Sequence, residues 1–538
     1  MRSIEIPQPE DRNWKYRLFE IMPAVLTYTI LASPIVLGLI SPLVTAYFIV
    51  AYLLIWFVRL VGIDTRMLQG WRTIREHKAL PWQKMLVDLE ELQPKTKNTP
   101  KWHARNLVRV ARNIPNTRLK PSEVYHVVLI AFYNETRDIV EPTVQSVLAT
   151  AFDHKKIILC LAYEERGGPE IEKLANDLVR EYGSQFYYAA AVKHPDGLPG
   201  EVRGKGGNIT YAGRELQTYL EEQEIDPLKV LVTTLDSDNR PDKQYFGALT
   251  YTYCSTEDPK HASYQPVTMY LNNIWDAPAP MRVVASGNSF WNVMLSLRPH
   301  LLRNFSAHSQ PMAALIDTDF WSVRTIVEDG HQYWRTWFRY DGNHHVYPIY
   351  VPIYQDAVFT DSYKRTLKMQ FIQVRRWAWG VSDIAYVLNQ GFLKPNNIPK
   401  HKIISKFLRL LEGHLSWSTA PILIALAARI QLYINPQSFT SNVLPLLVSR
   451  LAQVALIGIF VSLYLGIRSL PPKPERYKRR RNIWMVLQWA YFPVTGIVYG
   501  SLAALAAQTR LAFGRYLGFV VTEKATKSKR ADVGTLIK

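Results

Sequence analysis

The sequence predicts an α/β domain with a mostly parallel sheet, joined to α-helical transmembrane segments. Three observations carry this. Ile21 to Val58 is a 38-residue stretch without Asp, Glu, Lys or Arg. Three further apolar segments of spanning length lie in the C-terminal third. Between them, short apolar runs of strand type alternate with helical stretches. The 538 residues carry 64 Lys and Arg against 45 Asp and Glu, a formal charge of +19, and 48% are apolar. That composition excludes a disordered chain. Two cysteines, Cys160 and Cys254, exclude a disulfide framework or a Cys-rich zinc module.

Residues 1–20 form a tail with Arg2, Arg12, Lys15 and Arg17. The uncharged stretch is about twice the ~20 residues of one span. Ser41-Pro42 falls near its middle, which predicts a hairpin of two helices over 21–60. A signal peptide is the weaker reading because the apolar region is too long and no small-residue cleavage site follows. Residues 61–120 are polar, basic and weakly patterned, and read as a linker on the membrane surface. HVVLIAF (126–132), KIILCLAY (156–163) and KVLVTTL (229–235) read as strands, with helices over 134–152, 169–182 and 208–224. Continuous apolar strands alternating with helices predict a parallel sheet covered on both faces, within a domain over 121–360. Interface helices follow over 361–412 and a pair of spans over 413–467.

The loop 468–483 holds Arg468, Lys473, Arg476, Lys478, Arg479, Arg480 and Arg481, which marks the cytoplasmic side. This predicts an integral protein of the cell or plasma membrane with its sheet domain in the cytoplasm. Anionic lipid headgroups are the nearer partner for this charge, and a nucleic-acid role is not expected. Segment 484–513 reads as a third span or, given Pro493, Gly496 and Gly500, as a re-entrant hairpin. The basic tail 514–538 is assigned to the inside. Arg429 and Arg450, within the spans, read as snorkelling residues or as a polar lining for something that crosses the bilayer.

Ligands of parallel sheets bind beyond the carboxyl ends of the strands, and polar motifs stand there. Tyr133-Asn134-Glu135 follows the first strand and Glu164-Glu165 the second. RGKGGN (203–208), with Lys205 and Asn208, precedes the third helix, where glycines let N–H groups approach an anion. A solvated basic turn is the alternative. Asp236-Ser237-Asp238 follows strand 229–235. Alternation puts both carboxylates on one side, as suits Mg²⁺ or Mn²⁺ bridging a diphosphate. Glu328-Asp329, followed by His331, offers a general base or a solvated turn. His344-His345 would point apart in a strand and is not read as a metal site. Gln373, Arg376 and Trp377 fall at i, i+3 and i+4, one helix face. They could hold phosphates and a sugar ring, or anchor an amphipathic helix at the membrane.

In this order, Y-N-E, the acidic pair, K-G-G-N, D-x-D, E-D and Q-x-x-R-W resemble the family 2 glycosyltransferases over roughly residues 121–433. More narrowly, they resemble the membrane-embedded branch with cellulose, chitin and hyaluronan synthases. GFVVTEK (518–524) resembles the VTxK stretch after the last span in that branch. The resemblance implies a GT-A fold and inverting transfer from a nucleotide-diphospho-sugar, most often a UDP-sugar. It implies Asp329, beside Glu328, as catalytic base, and Asp236 and Asp238 as metal and nucleotide ligands. Tyr133, Glu135, Glu164, Lys205, Asn208 and Arg376 would contact the nucleotide sugar. Gln373 and Trp377 would face the acceptor. The chain departs from the pattern where Glu164-Glu165-Arg166 replaces D-D-G, where Ala131 replaces a proline, and at SGNSFWN (286–292) and ALIDTDFW (314–321).

Three functions are compatible with these residues. The first is a synthase that extends a polysaccharide and threads it through its own spans. The second is a single-addition transferase to a lipid-linked acceptor. The third is an inactive sugar-nucleotide sensor or scaffold.

Overall fold

The computed structural model describes residues 3–113, 119–455 and 457–520. Helix α1 (Trp14–Ile40) and α2 (Pro42–Lys78) form the expected hairpin, with Ser41 capping α2 through Val44 N. Next come α3 (Trp82–Glu91) and α4 (Lys101–Asn113). The α/β unit then runs β1 (Tyr125–Phe132), α5 (Arg137–Leu148), β2 (Ile157–Glu164), α6 (Pro169–Tyr182), β3 (Tyr188–His194), α7 (Lys205–Glu222) and β4 (Val230–Asp236). It continues through β5 (Arg240–Pro241), α8 (Tyr245–Cys254), β6 (Ala262–Met269), α9 (Ala279–Ser296), β7 (Ser309–Pro311), α10 (Met312–Asp317), α11 (Glu328–Arg339) and β8 (His345–Tyr354). After it stand α12 (Tyr363–Ala378), α13 (Asp383–Leu388), α14 (Lys400–Ile434), α15 (Phe439–Ala455) and α16 (Ile457–Arg468).

The eight strands form one sheet in the order β3-β2-β1-β4-β7-β6-β8-β5. β1 pairs parallel with β2 and β4, and β2 with β3; β7 pairs antiparallel with β4 and β6; β6 pairs parallel with β8, and β5 antiparallel with β8. Alternation along β1 sends Val128, Ile130 and Phe132 to one core and Val127, Leu129 and Ala131 to the other. The predicted mostly parallel α/β architecture is therefore present.

The stretch 61–120 is not a surface linker. Trp82, Met85 and Leu89 of α3 and Leu107 and Val110 of α4 are buried in the same core as Val128 and Ile130. The basic residues that made it read as solvated lie on the outer face of amphipathic helices.

Four helical runs are long and apolar enough to cross a membrane: Trp14–Ile40, Pro42–Lys78, Lys400–Ile434 and Arg480–Ala512. α1 and α14 pack side by side. Thr27 and Ser418 hydroxyls lie 3.0 Å apart, and Gln431 Nε2 donates to Pro34 O at 2.7 Å. α15 and α16 return along α2, with Ile49 buried against Leu444.

The run Arg480–Ala512 is continuous, with 3₁₀ and π turns between Gln488 and Ser501, so of the two readings the re-entrant hairpin is not formed. Both of its ends are held on the sheet side. Arg481 donates to Trp275 O and Gln488 accepts from Arg282 at one end. At the other, Arg17, near the start of α1, donates to Ala512 O at 3.0 Å. Pro493 and the glycines read as helix breakers, yet tertiary packing on α9 and α14 absorbs them. Arg429 and Arg450 are exposed and Arg450 bonds Gln453, so neither lines an interior path. Of GFVVTEK, residues 521–524 and the tail beyond them lie outside the described residues.

Cys160 and Cys254 are both buried, so single introduced cysteines report topology cleanly. In sealed vesicles, an impermeant maleimide should label Glu475→Cys and Arg515→Cys from the same side and Gln437→Cys from the opposite one. Labelling of Arg515→Cys together with Gln437→Cys would make Arg480–Ala512 a true crossing.

Candidate active site

β1, β2 and β4 end in register, with Ala131 beside Asp236 and Phe132 beside Tyr163. The chain runs outward from β1 to β2 and β3, then returns to β4 on the other flank. The strand order thus reverses between β1 and β4 and leaves a crevice at their carboxyl ends. Glu135 ties the crevice together. One carboxylate oxygen accepts from Tyr133 N (2.8 Å) and Asn134 N (3.2 Å), and the other from Ser237 Oγ (3.1 Å).

On the β4 side, Asp236 Oδ2 accepts from Ser306 Oγ at 2.7 Å. Asp238 Oδ2 accepts from Asp356 N at 3.1 Å, and Asn272 donates to Asp238 O. Two carboxylates here fit the needs of Mg²⁺ or Mn²⁺, which take few protein oxygens and complete their sphere with phosphate and water. Among the described residues, no group of three His, Cys, Asp or Glu side chains gathers to hold a metal alone.

Lys205 opens α7, so KGGN is the first turn of the helix and not a loop before it. The glycines serve close packing: a Cβ on Gly206 would sit 2.4 Å from Ser322 O. Lys205 Nζ lies 2.8 Å from Asp236 Oδ1 and 3.5 Å from Asp329 Oδ2. Burial alone would lower this ammonium, but the Asp236 and Asp329 charges lead the effects that outweigh it and raise it. Asp329 Oδ1 is 3.5 Å from His308 Nδ1. Trp321 Nε1 donates to His308 Nε2 at 3.1 Å, which assigns the ring proton to Nδ1, where it faces Phe305 O at 2.9 Å. Burial keeps this imidazole neutral. Glu328 is buried, and burial together with the neighbouring Asp329 charge pushes its carboxyl up to about 8.

Glu164 faces the crevice and accepts from Arg166 Nε at 3.0 Å, with His194 Nδ1 at 3.4 Å. Burial raises this carboxyl, but the two bonds outweigh it and lower it. Glu165 instead accepts from Asp196 N on the outer loop. Asn208 donates to Ala162 O at 3.0 Å. Across the crevice, α12 presents Gln373, Arg376 and Trp377. Trp377 lies 6.1 Å from the Tyr270 ring, and the Arg376 guanidinium stands 4.5 Å over Phe519. His331 turns away to Asp383 at 2.7 Å. His344 and His345 point apart, and burial pushes His344 down to about 3.

All twelve residues singled out from the sequence line one cavity of about 1160 Å³. The same cavity continues between the apolar helices, past Trp56 and Phe57 of α2, Trp417 and Ile424 of α14, and Phe492. Sequence reasoning missed Tyr270, Gln355, Asp356 and Ser306, and it did not place Phe519 in the crevice. Tyr270 follows β6 and Gln355-Asp356 follows β8, so the strand-end rule applies to them once those strands are recognised. Phe519 belongs to GFVVTEK, which reads only as a stretch after the last span, and no sequence signal marks Ser306.

No protein-family model matches the chain, and no curated protein matches it in sequence. Among solved structures it is similar to mannosyltransferase PcManGT from Pyrobaculum calidifontis in complex with GDP-Man and Mn²⁺. Identity is 12%, coverage 84% of this chain and 100% of that one, and TM-score 0.39. It is also similar to S. aureus TarS 1-349 in complex with UDP-GlcNAc, at 10% identity, 74% and 95% coverage, and TM-score 0.34.

Two outcomes test this geometry. Gly206→Ala should cost about 1–3 kcal/mol by overpacking, more than the ~0.5–1 kcal/mol gained in helix propensity, and should lower the melting temperature. Because the folded state binds the Glu328 proton more tightly than the unfolded state, its contribution to stability is full below the ordinary carboxyl range. That contribution is lost as pH rises toward about 8. Glu328→Gln should flatten the fall in melting temperature over that window, and an unchanged slope would refute the assignment.

Proposed function

We propose that the protein is a membrane-bound, inverting glycosyltransferase of the GT-A, family 2 kind. It moves a sugar from a nucleotide-diphospho-sugar, in the first place a UDP-sugar, to a growing polysaccharide. The observation that carries the reading is the gathering of motifs hundreds of residues apart around one cavity that continues between apolar helices. The basic loop 468–483 favours a cytoplasmic sheet domain.

Asp329 is the general base. It takes the proton of the acceptor hydroxyl as that oxygen bonds to the anomeric carbon. The bond from that carbon to the diphosphate breaks, and the electron pair leaves with the diphosphate. One displacement on the face opposite the leaving group inverts the centre. Lys205 and Arg376 put positive charge near the leaving group, a preorganised contribution in a water-poor site. Mg²⁺ or Mn²⁺ held by Asp236 and Asp238 would neutralise charge on the diphosphate. Glu328, protonated at neutral pH, adds no competing negative charge. Tyr133, Glu164 and Asn208 border the donor side, with Glu135 bracing it. Gln373 and the Trp377 ring border the acceptor side, and the aromatic walls beyond suit a sugar chain.

A second reading, single addition to a lipid-linked acceptor, is favoured by one feature. The cavity wall between α2 and α14 includes the ion pair of Arg59 with Glu412, and both side chains are exposed.

Turnover of the full chain in lipid nanodiscs, with UDP- and GDP-sugars and Mg²⁺ or Mn²⁺, tests the proposal. A long polydisperse product supports the synthase, and one discrete glycolipid supports the second reading. Donor binding without nucleotide release from any sugar would leave a sensor. Asp329→Asn should lower turnover by at least about a hundredfold with nucleotide binding retained. Asp238→Ala should abolish metal-dependent donor binding, whereas Trp377→Ala should keep it and impair transfer. Equal loss of donor affinity in both would overturn the acceptor-side role.

A further inference from the structure

A cationic cluster outside the cavity's polar end is left unexplained by sugar transfer. Arg66 on α2, Arg298, His300 and Arg303 from the loop after α9, and Lys406 and Arg409 on α14 converge just on the sheet side of the apolar belt. Arg66 Nη1 and Arg298 Nη2 both lie over Gly62, 3.2 and 3.9 Å from the place its Cβ would take. The Arg303 guanidinium stands 5.7 Å over Trp334. Lys406 donates to Tyr333 OH and lies over the Tyr333 and Trp337 rings. The positive charges of Arg409, Arg298, Arg66 and Lys406 all bear on His300, which burial and these charges hold below its ordinary value.

Among the described residues, none of these six groups has a carboxylate partner within ion-pair distance. The nearest pair joins Arg59 to Glu412 at the edge of the cluster. Apart from the Asp383 carboxylate, whose charge bears on Arg303, these groups face like charges, which raises the energy of the folded protein, so the arrangement fits a bound anion. Its position narrows the anion. Directly toward the membrane, Leu54, Val58 and Val61 on α2 are exposed and apolar, a surface for acyl chains. His300 and Arg409 are exposed, while Arg66, Arg298, Arg303 and Lys406 are half-buried, so the cluster presents a partly sheltered basic face.

We infer that the basic face between α2, the 298–303 loop and α14 binds the phosphate headgroup of an anionic phospholipid from the surrounding leaflet. Basic pockets between membrane helices recognise such headgroups through charge and bidentate guanidinium contacts. The aromatic rings of α11 beneath Arg303 and Lys406 hold the cations in place. The site stands beside the cavity wall at Arg59, Leu301 and Arg303, and it is independent of which sugar is transferred.

The test uses the full chain in mild detergent, with native mass spectrometry to count retained lipid. Phosphatidylglycerol should be retained at least tenfold over phosphatidylcholine of the same chains. Arg298→Gln/Arg409→Gln should abolish that preference, while Lys478→Gln/Arg479→Gln in the basic loop should keep it. A second readout guards against misfolding. Removing the mutual repulsion should leave the lipid-free double variant melting at or above the unmutated protein, and phosphatidylglycerol should raise the melting temperature of the unmutated protein only. Retained preference in the double variant would overturn the site. Displacement of the lipid by millimolar inorganic phosphate would also overturn it, in favour of a free-anion site. A chain that stays monodisperse without detergent would instead sink the membrane reading.

Discussion

The buried ammonium of Lys205 is the constraint around which the rest of the site is arranged. It lies between the Asp236 carboxylate at the end of β4 and the Asp329 carboxylate at the start of α11. Removing charges from water is costly, and a buried charge persists only where opposite charges and hydrogen bonds compensate it. One cation facing three acidic groups would leave two negative charges in excess, and Glu328 halves that excess by keeping its proton. The neutral tautomer of His308 follows from the same economy of charge. Trp321 donates to one nitrogen and the other faces Phe305 O, so the ring stands beside Asp329 without adding a charge.

That arrangement needs α7, β4 and α11 at fixed separations, and the packing supplies them. Gly206 and Gly213 have no Cβ where Ser322 and Phe320 approach, which lets α7 sit close beneath the loop before α11. Between the sheet and the apolar helices lies a layer rich in large rings. Phe290, Trp334, Trp337, Trp379, Tyr386 and Trp489 share one core with Met67 of α2 and Leu465 of α16. This layer joins the apolar helical hairpin to the crevice at the strand ends as one packed body. It is the physical reason that the cavity passes from carboxylates to apolar helix walls without a break.

Much of the site was legible before the fold. Asp236-Ser237-Asp238 and Tyr133-Asn134-Glu135 stand at ends of apolar strands, and Gln373, Arg376 and Trp377 share a helix face. The roles of individual carboxylates were not legible. Glu164 and Glu165 are chemically alike, and only the turn after β2 sends one inward and the other to Asp196. Glu135 reads as a ligand-contacting residue, yet it braces two loops through hydrogen bonds to Tyr133, Asn134 and Ser237. Ser306 and Phe519 belong to no periodic pattern and reach the crevice only through long-range packing.

The amino-acid sequence by itself determined the local features: apolar runs too long for water, strand periodicity, and polar motifs placed at strand ends. These depend on neighbours within a few residues, where periodicity and hydrophobicity act directly. Tertiary structure alone decided which face each helix buries. It drew the 61–120 region onto the sheet and laid Arg480–Ala512 along the sheet side instead of reversing it. Both outcomes depend on partners hundreds of residues away, and an apolar helix is equally satisfied by lipid or by protein until those partners are in place.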